Sequence, residues 1–174
     1  MDRIQVSKYF YLDELVDPFT YFNEPDNGLS KLDKKLFDIS DFFREKYGSA
    51  LIVNNWFFVY LARKAHGEKL NDIIDYITKE KTIRDWSGLR TEKCTEGSPT
   101  SAHRLGKAID FKSDPKKMDK ILKSNIKELH GLGLRRVEDI SITPNWFHID
   151  TLAKNVGKNE IRIITKTSGT NIQI

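Results

Sequence analysis

Apolar side chains recur at the spacing of an amphipathic helix in three stretches of the chain. In the first stretch they occupy every third or fourth position up to Gly48, a residue type that commonly ends helices, which predicts a helix over residues 31–47. The same spacing predicts a second helix over residues 68–81. The third stretch runs from Asp114, which can cap a helix, to Gly131. It predicts a third helix, which is the second of the two long ones.

Short apolar runs with the composition of β-strands lie between and after these helices. Residues 50–55 form one such run, and residues 107–111 are predicted to form a strand just before the third helix. Two further strands are predicted after that helix, over residues 145–151 and 159–166. This mixture of helices and strands predicts an α+β fold.

Nothing in the sequence divides the chain, which contains no repeat, low-complexity tract or Pro/Gly-rich linker, so residues 1–166 are predicted to form one domain. An aromatic cluster is predicted to lie in the core, and its members are Trp56, Phe57, Phe58 and Tyr60. Residues 167–174 form a tail that is first polar and then apolar. A last strand, a disordered segment and a contact with a partner all remain open for this tail.

Alternation along two of the predicted strands separates polar from apolar side chains, because successive side chains of a strand point to opposite faces. Asp110 points away from its two apolar neighbours. His148 shares its face with Trp146 and Asp150. Both strands therefore present a polar face that can carry chemistry.

Composition narrows the kind of protein and the kind of site. The 174 residues include 39% hydrophobic residues, enough for an ordinary globular core, and no run of about 18 apolar residues predicts a membrane span. The N-terminus lacks the pattern of a secretory signal, so synthesis in the cytoplasm is expected. The formal net charge of +4 is mild, and the lysine-rich stretch 115–124 is not expected to bind nucleic acid on charge alone. With the single cysteine Cys94, any metal must be held by histidines and carboxylates.

A candidate ligand set can be assembled from three of these polar residues. His103 lies seven residues before Asp110, with Gly106 between them, so that the imidazole and the carboxylate can converge. His148 would complete a set of two imidazoles and one carboxylate with a fourth position open for water, which is the arrangement of catalytic zinc. Spacing alone does not distinguish this set from three unrelated side chains.

The segment S-A-H-R-L-G-K-A-I-D matches the pattern S-x-H-x-x-G-x-A-x-D of the zinc D-alanyl-D-alanine carboxypeptidase and phage endolysin peptidase family, whose fold is shared with the hedgehog signalling domain. The matching positions are Ser101, His103, Gly106, Ala108 and Asp110. Upstream, W-S-G-L-R-T resembles the S-G-x-R element of the family, and downstream W-F-H-I-D resembles its W-x-H-x-D strand. The three motifs occur in the family's order, over a resemblance that runs from about residue 7 to about residue 151.

The resemblance implies a fold and a cofactor. It implies a small antiparallel sheet of the hedgehog type with flanking helices, and one Zn²⁺ held by His103, Asp110 and His148. Zinc in this position would polarise a peptide carbonyl and lower the pKa of its water toward 7, so that hydroxide attacks at neutral pH.

The resemblance also implies roles for residues around the metal. Arg90 matches the family arginine that holds substrate or stabilises the oxyanion, for which a permanently charged guanidinium is suited, while a surface salt bridge is the alternative. Ser101 and Trp146 are expected at the substrate, with Ser101 orienting its loop. Asp150 could accept a hydrogen bond from a ligand imidazole if the strand bends, and otherwise it would be a solvated partner for a lysine.

The sequence departs from the family at the position three residues before the last histidine. Several members carry a catalytic Glu or Asp there, whereas this chain has Asn145, which cannot take a proton from water. The nearest replacements for that residue are Glu138 and Asp139. Glu138 is the predicted base or substrate-orienting carboxylate, and a salt bridge with Arg135 or Arg136 is its alternative role.

The resemblance therefore implies a zinc metallopeptidase that cuts an amide bond in the peptide stem or cross-link of bacterial peptidoglycan. The resemblance places such a protein in a phage or prophage lysis or virion module that acts on the cell wall after release from the cytoplasm. The alternative is a catalytically impaired zinc-binding module of the same fold, which binds the cell wall or a virion partner.

Overall fold

A computed structural model describes residues 2–95, 98–167 and 169–174 of the chain. Its helices are α1 (Pro18–Asn23), α2 (Pro25–Lys31), α3 (Lys35–Tyr47), α4 (Trp56–Ala65), α5 (Leu70–Lys79), α6 (Pro115–Ser124) and α7 (Ile126–Leu132). Its strands are β1 (Ala108–Phe111), β2 (Arg136–Glu138), β3 (Phe147–Asp150), β4 (Glu160–Ile164) and β5 (Gly169–Gln173). The predicted α+β class is confirmed.

Helix α3 agrees with the first predicted helix except at its start. It ends, as predicted, at Gly48, which adopts the left-handed conformation with φ of 76°. The predicted start at residue 31 is wrong, because Lys31 ends the preceding helix α2 and Leu32 is extended. Helix α5 is two residues shorter at each end than the predicted 68–81.

The third predicted helix is interrupted at Asn125, which separates α6 from α7. Asn125 has φ of −133°, outside the helical range, and its side-chain amide donates a hydrogen bond to the carbonyl of Ile121. The chain then ends α7 at Gly133, in the left-handed conformation, rather than at the predicted Gly131. The prediction of one continuous helix was therefore wrong, because a local side-chain bond replaces a helical turn.

The five strands form one sheet in the order β1, β3, β2, β4, β5. The predicted antiparallel sheet is wrong at one pair, because β2 and β4 run parallel while the other neighbouring pairs are antiparallel. The run 50–55 contributes only a single bridge, between Ile52 and Lys112, and is not a strand. The tail supplies β5, so the last-strand alternative describes it.

One face of the sheet packs into the core, and the other carries the polar residues. The apolar side chains of β1 and β3 lie against Phe43 of α3, whose ring centroid is 6.3 Å from that of Phe111 and 5.5 Å from that of Phe147. Three members of the aromatic cluster are buried as predicted, but Phe58 is 62% exposed because it points outward from α4. No helix among the described residues is long and apolar enough to cross a membrane.

Candidate metal centre

The three predicted ligands meet on the polar face of the sheet. Asp110 on β1 and His148 on β3 are register partners in the antiparallel pair, and His103 comes from the loop that precedes β1. All three are buried, and one ligand atom from each lies within 4.8 Å of the others. This is a grouping that can hold a metal ion.

The distances within the cluster suit a tetrahedral ion. His148 Nδ1 lies 2.7 Å from Asp110 Oδ1, and His103 Nε2 lies 3.3 Å from Asp110 Oδ2. Ligand atoms at 2.0–2.2 Å from a tetrahedral Zn²⁺ are separated by roughly 3.3–3.6 Å. Each of these two distances therefore differs from the spacing of ligand atoms around such an ion by less than about 1 Å.

A backbone carbonyl sets the orientation of His103. Its Nδ1 lies 2.8 Å from the carbonyl oxygen of Gly88, which can only accept a hydrogen bond. Nδ1 therefore carries the proton, and the lone pair of Nε2 faces Asp110 and the centre of the cluster. This is the tautomer that a metal ligand requires.

Asp150 sets the orientation of His148. The two residues are two positions apart on β3 and share a face without any bend, and His148 Nε2 lies 3.2 Å from Asp150 Oδ2. Asp150 is fully buried and binds Arg136, whose Nε lies 2.9 and 3.0 Å from its two carboxylate oxygens and whose Nη2 lies 2.8 Å from Oδ2. The interpretation of Asp150 as an acceptor for a ligand imidazole therefore describes it, and the alternative of a solvated partner for a lysine is wrong. With Nε2–H donated to Asp150, Nδ1 of His148 is directed at the metal position.

Electrostatics in the metal-free cluster favour a proton where a metal would bind. Burial lowers the pKa of His148, but hydrogen bonds to Asp110 and Asp150 outweigh it and raise that pKa to about 10. Burial likewise raises the pKa of Asp110, but attraction and hydrogen bonds from His103 and His148 hold it below its ordinary value. The two carboxylates thus favour a positive charge between them, which a proton or a cation can supply.

The segment around the S-G-L-R motif forms one wall of the cluster. The backbone N–H of Asp110 donates to the carbonyl of Ser87, and that of Arg90 donates to the carbonyl of His103. Asn54 holds this segment in place, because its Oδ1 accepts from the backbone N–H of Ser87 at 2.9 Å. Gly88 is required there, since a Cβ atom would lie 2.2 Å from the carbonyl oxygen of Leu15. The Asn-Asn-Trp stretch before α4, followed by the S-G-L-R motif, is the sequence signal for this wall, whereas its individual contacts were not predicted.

The cluster opens into a pocket of about 410 Å³ that contains the predicted substrate-binding and catalytic residues. Arg90, Ser101, Glu138 and Trp146 all line it together with the three ligands. Ser101 also accepts a hydrogen bond from the backbone N–H of Arg104, so it orients its own loop as expected.

Arg90 points into this pocket and not toward the surface. Its Nη2 lies 3.6 Å from Asp110 Oδ2, and its Nε donates to the carbonyl of Trp86 at 3.0 Å. The side chain is only 17% exposed, so the alternative of a surface salt bridge does not apply. Its guanidinium is held in one place beside the metal position.

Glu138 on β2 extends the row of polar side chains that runs across the sheet from Asp110 on β1 to His148 on β3. Strand β2 pairs with β3 so that Val137 faces Ile149, which places Glu138 next to His148 on the polar face. The alternative salt bridge is not formed, because Arg136 binds Asp150 and Arg135 donates to backbone carbonyls. No hydrogen bond or ion pair joins the Glu138 carboxylate to another of the residues that the structure describes. By contrast, Asn145 is exposed and does not line the pocket.

Comparisons with protein families, with curated proteins and with solved structures found no match. The likeness of the three motifs to zinc peptidases therefore remains an expectation from sequence. A function for this chain therefore rests on the geometry of the pocket and the chemistry of its side chains.

Proposed function

We propose that this chain is a zinc-dependent peptidase that hydrolyses an amide bond in the peptide stem or cross-link of bacterial peptidoglycan. The observation that carries the proposal is one pocket in which two imidazoles and a carboxylate converge beside a free carboxylate, Glu138, and a fixed cation, Arg90. Three protein ligands of this kind leave a position for water, as in catalytic zinc sites. The substrate class comes from the resemblance of the three sequence motifs.

Each residue of the pocket has a distinct task in such a hydrolysis. Bound zinc would polarise the peptide carbonyl and make water easier to deprotonate. Glu138 takes the proton from the attacking water and delivers it to the leaving amine nitrogen, a task for which an unpaired carboxylate is suited. Arg90 keeps its charge at any working pH, and it stabilises the negative charge that develops on the carbonyl oxygen.

The remaining lining residues hold the peptide. Trp146 offers an apolar surface, and its indole N–H is a donor for a peptide carbonyl. Ser101 offers a hydroxyl from the loop that also carries His103. In this proposal the protein acts on the cell wall after release, or as part of a virion.

The test measures metal content and cleavage separately. Purified protein is assayed for zinc by mass spectrometry, and peptidoglycan digests are examined for newly formed amino groups. Glu138→Gln is expected to retain zinc and to lower the cleavage rate by roughly 10²–10⁴-fold, because it removes only the proton acceptor. Asp139→Asn is the matched control: this neighbour binds the backbone N–H of Ser141 and does not line the pocket, so its rate is expected to stay near that of the wild type.

The outcomes separate the enzyme from the binding module. Zinc in the wild type without any cleavage would favour the catalytically impaired module, which the asparagine at position 145 makes a real alternative. Full activity in Glu138→Gln would remove Glu138 as the base. Absence of stoichiometric zinc in protein purified without chelators would contradict both functions.

A further inference from the structure

A second pocket, larger than the first, lies outside the metal centre between α1, α5 and the segment that begins at Trp86. Its volume is about 580 Å³, against about 410 Å³ for the metal pocket. None of the proposed catalytic residues lines it. We call it the α5 cleft.

One face of α5 forms a wall of the α5 cleft. Asn71, Ile74, Asp75 and Thr78 all line it, and their spacing of three, four and seven residues places them on the same side of the helix. A different face of α5 anchors the helix in the core through Ile73 and Ile77, which are buried.

Two aromatic side chains complete the cleft and remain partly exposed to solvent. Phe19 of α1 and Trp86 both line it, and both are of intermediate burial. A partly exposed indole beside amide, carboxylate and hydroxyl groups suits a ligand with one apolar face and several polar substituents.

Charge in the cleft argues against an anionic ligand. Asp17 and Asp75 line it together with one cation, Lys93, whose ammonium lies over the ring of Phe19. Asp17 is already engaged as the N-cap of α1. Within the part of the chain that the structure describes, the Asp75 carboxylate pairs with Lys79 on the surface, where both side chains are more than 70% exposed and the pairing is weak. The cleft therefore fits a neutral ligand that donates hydrogen bonds to a carboxylate.

The α5 cleft is connected to the metal pocket through a short segment. Trp86 lines the cleft and Arg90 lines the metal pocket. The Arg90 side chain donates a hydrogen bond to the backbone carbonyl of Trp86. The four residue steps from Trp86 to Arg90 span at most about 14 Å. A single extended substrate molecule can therefore reach both the α5 cleft and the metal pocket.

We infer that the α5 cleft binds an N-acetylated hexose of the glycan strand that carries the peptide stem, an inference that rests on the proposed function for its choice of sugar. The indole of Trp86 packs on the C–H face of the sugar ring. Asp75 accepts hydrogen bonds from ring hydroxyls or from the acetamido N–H, and the Asn71 amide pairs with the acetamido group. The helix at 70–79 thereby adds glycan recognition to the peptidase.

The test uses chitotriose, a soluble trimer of N-acetylglucosamine, and ¹⁵N-labelled full-length protein. The chain has three tryptophans, so three indole N–H signals report on separate places: Trp86 in the cleft, Trp146 in the metal pocket and Trp56 in the core. The signal of Trp86 is expected to shift with a Kd of roughly 1 mM, while the other two stay in place. Asp75→Asn should weaken binding roughly tenfold, because a hydrogen bond to a charged acceptor is lost.

The control is Asp72→Asn, which makes the same change on an exposed residue of the same helix outside the cleft, and its Kd should equal that of the wild type. No shift of the Trp86 signal, a shift confined to Trp146, or equal affinities for the two variants would each overturn the inference. A free stem peptide without sugar tests the peptidase separately. Sugar binding without peptide cleavage would remove the proposed function and keep the cleft, and cleavage without sugar binding would do the reverse.

Discussion

The Asp150→Asn substitution tests how far the metal centre depends on a residue that never touches the metal. Asp150 accepts from His148 Nε2 and from the guanidinium of Arg136, and it is fully buried. An amide in its place keeps one acceptor oxygen but turns a donor toward Arg136, and it removes the negative charge that balances this arginine.

Two energies follow from these contacts. Loss of an outer partner of a ligand imidazole typically weakens metal affinity about 10–100-fold, or about 1.4–2.7 kcal/mol. Removal of one partner from a buried ion pair costs about 3–5 kcal/mol of folding free energy, and the 15% exposure of Arg136 places this site near the lower end. The larger effect is therefore on the stability of the metal-free protein, and the zinc affinity falls in addition.

The assay measures the two quantities independently. Urea unfolding in the presence of chelator gives the stability of the metal-free fold, and competition with a chromophoric chelator gives the zinc Kd. Asp119→Asn is the control, because its ion pair with Lys123 lies on the surface and is worth only about 0.3–0.5 kcal/mol. If Asp150→Asn matched this control in both stability and zinc affinity, the proposed orientation of His148 by a buried carboxylate would be refuted.

Three further outcomes are expected. Zinc affinity should rise about tenfold per pH unit between roughly pH 6 and 8, because His148, with its pKa raised to about 10, must release a proton when zinc binds. Calorimetry in two buffers would count that proton, and a zinc Kd that does not change with pH would contradict the prediction. Gly106→Ala should lower the free energy of unfolding in urea far more than Gly48→Ala. Both glycines have positive φ, but of the two only Gly106 would place a Cβ against a backbone oxygen, at 1.9 Å. Equal losses of stability in the two variants would contradict this reasoning. Phe58→Ala should change stability by less than about 0.5 kcal/mol and Phe43→Ala should cost about 3–5 kcal/mol, and the reverse order would show that the core is misplaced.

Local patterns in the sequence located α3, α5, β1, β3 and β4, but they gave no prediction for α1, α2, α4 or β2. The alternation around Asp110 and His148 predicted that both side chains leave the core, because the side-chain period of a strand is a property of the backbone. Gly48 was recognised as a helix end for a similar reason, since the left-handed conformation there favours glycine. Asn125 shows the limit of this kind of reasoning: helical periodicity continued across it, and a single side-chain hydrogen bond broke the helix.

Which residues contact one another around the metal centre was decided only by the tertiary structure. The sequence by itself determined which residue types could hold a metal and that Asp110 and His148 lie on polar strand faces, because those properties follow from residue type and local backbone period. It could not determine that Arg136 binds Asp150 and leaves Glu138 free, or that Gly88 orients His103, because those contacts join segments that are distant in the chain. Strand register and close backbone approach select such partners, and both are consequences of how the whole core packs.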